Sequence, residues 1–203
     1  GTECICEIQS GMSDYIPNPT MSAVIQESLT ELGAPEFDGA DQALATQFFQ
    51  SLPEESRQQV LAGLARRFGE ERAREIAAAP LEETISPLVL TKVAMPGSTD
   101  VGDVSYVTPT AQATLAGFCI GTTPHTWQVT GQIGSSIGEK CYLKAGEVLA
   151  LSAAKVIDQP ELCQQAREEL LAETGGVYDC PAPDDVLPPI PEGVAQRAKE
   201  AGL

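Results

Sequence analysis

The sequence predicts an α/β protein, with a mixed sheet flanked by helices, and three observations predict it. Several short stretches read as strands, either alternating in period two or running apolar for a few residues between prolines and glycines. Longer stretches repeat their apolar residues at helical spacing and carry start and stop residues. Between them lie turns crowded with Gly, Ser, Thr and Pro, the kind of loop that rigid elements hold out to reach a ligand.

Residues 1–10 contain Cys4, Ile5, Cys6 and Ile8 among acids, which reads as a strand. A chain that opens inside a strand is expected to continue from an upstream portion. Residues 11–17 are a connection. Asn18-Pro19 then reads as an N-cap with proline at the first helical position. Met21, Val24, Ile25, Leu29 and Leu32 follow at helical spacing, with Gly33 as the stop. From 38 to 79 the composition turns to Ala, Gln, Glu and Arg, a helical insertion spanning about 35–80. Phe48, Phe49 and Leu52 mark one helix there. Val60, Leu61, Leu64 and Phe68 mark a second, begun near Pro53, and a short third piece ends before Pro80. The pairs Arg66-Arg67 and Arg72-Arg74 read as solvated charges.

Three strands are predicted next, around 88–93, 104–107 and 113–120. Residues 138–157 are helical, with Tyr142, Gly146, Leu149, Ala153 and Val156 on one face and Ala145, Ala150 and Ala154 allowing close packing. A further helix starts at Asp158-Gln159-Pro160 and ends at Gly175-Gly176. The tail, 181–203, is proline-rich and is predicted to run extended along the surface.

The 203 residues are 42% hydrophobic, enough for a sizeable core. With 29 acidic against 12 basic residues and a formal charge of −17, the chain repels phosphate backbones and anionic lipid, so nucleic acid and membrane are excluded as partners. No apolar run approaches the roughly 20 residues that span a bilayer, and the first residues lack the pattern of a signal peptide. A cytoplasmic location is the expectation. The six cysteines are scattered without framework spacing and read as free thiols. Cys4 and Cys6 share one face of the predicted strand, so a metal role is a second reading for that pair.

Chemistry concentrates in residues 97–140. This stretch holds the only histidine, His125, and the only tryptophan, Trp127. An imidazole on a loop can point one nitrogen at a metal while a neighbour holds the other, and a hydrogen-bonded histidine without function is the competing reading. Asp100 and Asp103 either serve a ligand or satisfy backbone N–H groups of their own turn. Trp127 either packs in the core or stacks on a substrate. A serine or cysteine hydrolase is unlike this chain, because G-x-S-x-G is absent and no second histidine exists to act as a base. A zinc-type catalytic site needs three or more protein ligands, which one histidine does not meet.

The runs GSTDVGDVSYVTPT (97–110), GTTPHTWQ (121–128), GSSIGEK (134–140) and the closing ETGGVYDCPAP carry a resemblance. They are similar to the C-terminal part of the dimetal aminoacylase and carboxypeptidase G family of peptidases, nearest its aminobenzoyl-glutamate hydrolase B-subunit-like branch. The resemblance runs from residue 1 to about 190. It implies a metal-dependent amidohydrolase of N-acyl or aminobenzoyl amino acids, with a catalytic α/β domain interrupted by a lid domain through which such enzymes pair as homo-oligomers. Residues 1–14 would then be the end of the lid and its connection, 15–180 the C-terminal part of the catalytic domain, and 181–203 a tail. The family's last metal-ligand histidine falls on His125, and its Ser/Thr-Asp loop on Ser98, Thr99 and Asp100. These three and Asn18 are implied as substrate-binding or outer contacts. Two divalent ions, zinc or manganese, are implied for a complete site.

The family's His-x-Asp and Glu-Glu motifs, which bring the remaining ligands and the general base, have no counterpart in the 203 residues. The resemblance therefore places no catalytic base in this chain and implies a partner: the upstream part of the same protein or a second chain. A non-catalytic association module is the alternative. For a substrate carboxylate, Lys92, Lys140 and Lys144 are the candidate cations.

Overall fold

The computed structural model describes residues 2–6, 8, 10–90, 97, 99–183, 186, 192–200 and 202. Its first regular element begins where the sequence marks it. The Asn18 side chain accepts from the Met21 N–H at 3.0 Å, Pro19 takes the first helical position, and α1 runs Pro19–Leu32 to a Gly33 at φ 75°. Asp38 opens α2 (Gly39–Ser51) with a reciprocal capping box, its carboxylate taking the Ala40 and Asp41 N–H groups while Asp41 takes that of Asp38. Pro53 precedes α3 (Glu54–Phe68), and Gly69 at φ 87° turns the chain into α4 (Glu70–Ile76).

After α5 (Val101–Val107) and α6 (Trp127–Ile133), the long α7 (Ser136–Asp158) and α8 (Pro160–Thr174) complete the body, and α8 stops at a left-handed Gly175. A last helix, α9 (Glu192–Glu200), lies in the tail that the sequence predicts as extended. Among the described residues, no helix is long and apolar enough to cross a membrane.

Helices α1, α7 and α8 pack pairwise, burying Val24 and Leu29, Val148, and Ala166 and Leu170. Full burial of a Val or Leu side chain stabilises by roughly 1.5–3 kcal/mol. Polar groups lock the joint between α1 and α8. The Asn18 amide donates to Ala166 O at 2.9 Å, and the Thr20 N–H and hydroxyl donate to the Glu169 carboxylate at 3.0 and 2.7 Å. Burial, the largest influence, works against the charged Glu169, but the bonds from Thr20, Gln165 and Asn18 together outweigh it and hold its carboxyl below the ordinary value. A second core joins α2 to the site region: Ala45, Leu52, Leu81, Cys119 and Ile137, with Phe37, Leu44, Phe48 and Phe49 against them.

The predicted mixed sheet is overturned: the regular structure of the described residues is helical throughout, with no strand. Each predicted strand fails for a physical reason. Around 104–107 a short apolar run is ambiguous between strand and helix by period alone. Val101, Val104 and Val107 are three apart and share a side of α5, while Gly102 and Ser105 form its buried side. A Cβ on Gly102 would sit 2.0 Å from Ser13 O, so that side is held by close backbone approach.

Over 113–120 the backbone groups go elsewhere than into a ladder. The Ile120 N–H bonds Pro80 O at 2.8 Å, and the Cys119 N–H bonds the Gln132 side chain at 2.7 Å. The described part of 1–10, which the sequence predicts as a lid strand, carries no regular element and leaves Ile5 and Ile8 exposed. Residues 88–90 are likewise irregular, and 91–93 lie outside the described residues.

The α6–α7 turn depends on Gly138, whose Cβ would lie 2.1 Å from Ile133 O. Gly138→Ala should therefore lower the urea midpoint by the equivalent of about 1–3 kcal/mol. At Gly146, where a Cβ meets nothing within 4 Å, alanine should raise it by about 0.5–1 kcal/mol. An unchanged midpoint for Gly138→Ala contradicts the packed turn.

Candidate functional site

The loop from Cys119 to α6 is closed by one buried amide. Gln132, fully buried on α6, accepts the Cys119 N–H at 2.7 Å and donates to the Thr122 hydroxyl at 3.2 Å and to Gln128 O at 3.1 Å. Thr122, also buried, donates to Cys119 O at 2.8 Å. Gly121 at φ 86° brings the chain against Leu52 and Arg57, where a Cβ would stand 3.3 Å from each side chain. Thr126 turns back onto Thr123 O at 2.8 Å and begins α6.

Between these fixed points His125 is exposed and has φ 61°, the sole non-glycine among the described residues with positive φ. Side chains other than Asn and Asp seldom hold that conformation, and it persists where the surroundings impose it. Trp127, 68% exposed, leans on Phe48 with ring centroids 6.0 Å apart.

Of the other residues assigned to the site, Asp100 is exposed at the start of α5 and makes no side-chain cap bond. Thr99 is exposed beside it, its carbonyl accepting the Gly102 N–H at 2.9 Å. Ser98 lies outside the described residues. Asn18 is buried and wholly engaged, at Met21, Ala166 and, through its N–H, Thr110 O at 2.9 Å. Asp103 ties three segments, accepting from Ser13 N at 3.1 Å and the Tyr178 hydroxyl at 2.9 Å. The Ser13 bonds hold its carboxyl below the ordinary range.

His125 offers one imidazole. Among the described residues, no three His, Cys, Asp or Glu side chains gather as a metal-holding group. The donors of these residues by themselves do not fit one divalent ion, still less two.

Two residues that matter here escape sequence reasoning. Gln132 stands among ordinary polar neighbours, and only its burial shows its role. Arg57 lies along Gly121 and over the Phe49 ring at 5.1 Å, paired with Glu54 at 2.5 Å, and its Nε is buried without a partner among the described residues. The candidate lysines are occupied: Lys144 by Glu147 at 2.8 Å and Leu32 O at 3.3 Å, Lys140 by two aspartates, while Lys92 lies outside the described residues.

Lys140 clamps α7 to the start of α2. Its ammonium bonds Asp38 at 2.9 Å and the buried Asp41, to which the Ser136 hydroxyl also donates. Lys140, with the Asp41 and Ala40 N–H groups, holds the Asp38 carboxyl down to about 2. The same ammonium, then Ser136, depresses Asp41. The folded state therefore binds fewer protons than the unfolded chain, whose aspartates titrate near about 3.9. The clamp's contribution is complete above that value and fades as pH falls toward about 2. The Tm gap between wild type and Lys140→Met should be full at pH 6 to 7, shrink as pH falls below about 4 and close toward pH 2. A gap of constant size down to pH 2 rules the clamp out as its source.

No family model matches the chain, and no solved structure matches it. Over 190 residues it is 32% identical to the B subunit of p-aminobenzoyl-glutamate hydrolase from Escherichia coli (strain K12), a match covering 90% of this chain and 39% of that protein. The chain thus spans about two-fifths of the length of the curated relative it matches. The likeness to that hydrolase branch extends over nine-tenths of the chain.

Proposed function

We propose that this chain forms part of an amide hydrolase acting on N-acyl or aminobenzoyl amino acids such as aminobenzoyl-glutamate. The observation that carries the reading is the 32% identity over 190 residues to a protein named as a hydrolase of that conjugate. The loop geometry supports it, since a buried amide network spends its bonds on presenting one exposed imidazole in a left-handed conformation.

In this reading His125 is one ligand of a divalent ion, zinc or manganese. Ser98, Thr99 and Asp100 line the approach of the substrate, and Asn18 acts at one remove by fixing the start of α1. The other ligands and the general base come from polypeptide beyond these 203 residues, in the same protein or a second chain. The relative's designation as one subunit of its hydrolase is consistent with assembly from more than one chain.

The test is to co-produce this chain with the portion of the Escherichia coli relative that the match leaves out. Release of aminobenzoate from aminobenzoyl-glutamate and bound zinc and manganese are then measured. His125→Ala should abolish detectable turnover and weaken metal binding by more than the roughly 10–100-fold that loss of an outer partner costs. Metal content and rate equal to those of the unsubstituted assembly overturn the assignment.

A further inference from the structure

Helix α7 is apolar on two sides. Its inner side buries Ile137, Val148 and Ser152 and packs on α1, α6 and α8. At 100° per residue, Tyr142, Gly146, Leu149, Ala150, Ala153 and Ile157 fall into one stripe on the other side, about 22 Å long. The sequence pattern suits a packed face, yet the structure leaves this one in solvent. Tyr142 and Leu149 are each 58% exposed and Ile157 78%, and the smaller members of the stripe are exposed with them. A contiguous exposed apolar patch marks an interaction surface.

Two observations choose the occupant. The relative continues for about three-fifths of its length beyond the match, a portion larger than the matched one. A second copy of this chain is disfavoured by charge, since each carries −17.

We propose that the outer stripe of α7 is the docking face for the polypeptide equivalent to that unmatched portion, presenting an apolar surface with basic groups at its margin. The proposal rests on the reading of this chain as part of a larger hydrolase and adds the surface through which the parts join.

The probe is the unmatched portion of the Escherichia coli relative, co-produced with the 203-residue chain. Assembly is read by light scattering and by titration, with hydrolysis measured separately. The expected result is a one-to-one assembly whose apparent Kd rises at least tenfold in Leu149→Glu and in Ile157→Glu, with helicity unchanged. Val177→Glu, exposed and off the stripe, should leave it unaltered. Failure to assemble, an assembly indifferent to both stripe variants, or a self-dimer of the 21.4 kDa chain that those variants dissolve each overturns the proposal. An assembly that forms through the stripe and hydrolyses nothing supports the docking face and refutes the functional reading. Hydrolysis by an assembly whose apparent Kd neither stripe variant changes does the reverse.

Discussion

The buried amide of Gln132 is the constraint on which the candidate site depends. It takes the N–H of Cys119, in the second core, and gives to Thr122 and Gln128, so chain on both sides of the loop is satisfied by one side chain. A backbone donor left unpaired in that core costs about 1–3 kcal/mol, which makes the closed loop the low-energy state. With Thr122 drawn in and Thr126 turned back onto Thr123, the chain between them has little freedom. The strain of a left-handed His125 is carried by that closure, and the imidazole is directed into solvent before any ligand arrives.

The loop is held in turn by the way α7 is fixed at its start. Ser135 caps α7, while Ser136 and Lys140 bind the acidic start of α2. One short run, GSSIGEK, thus joins the helical insertion to the long helix and sets α6 at its place through Gly138. The insertion is tied down at its far end too. Arg72 reaches Glu75, Glu82, Thr84 and Ser86, and Gln26 of α1 donates to Ser86 O at 3.1 Å, so an arginine that reads as a solvated charge is a strap.

Helices α1, α2, α3, α4, α7 and α8 were legible because their signals are local; α5, read in part as a strand, α6, not read at all, and α9, read as extended tail, were not. Asn18-Pro19, Pro53, Pro160 and Gly175 specify starts and stops whatever packs beside them. That the predicted strands do not form was not legible, because a strand is defined by its partner. Period two in 1–10 and the apolar run in 113–120 describe side chains and say nothing of where the N–H groups go. Here the one at Cys119 goes to a glutamine thirteen residues away. His125 could be singled out by composition and by its loop, but its φ and the amide behind it could not. The stripe on α7 was legible as an apolar face and illegible as an exposed one.

The central claim is that Gln132 holds the loop that presents His125. Amide hydrogen exchange at Cys119 and Thr122 tests it most directly, comparing wild type with Gln132→Met and using Val148 on α7 as the internal reference. Protection of both amides in the wild type, falling at least about tenfold in the variant while Val148 is unchanged, is the predicted result. Equal protection of Cys119 and Thr122 in the two proteins would contradict it.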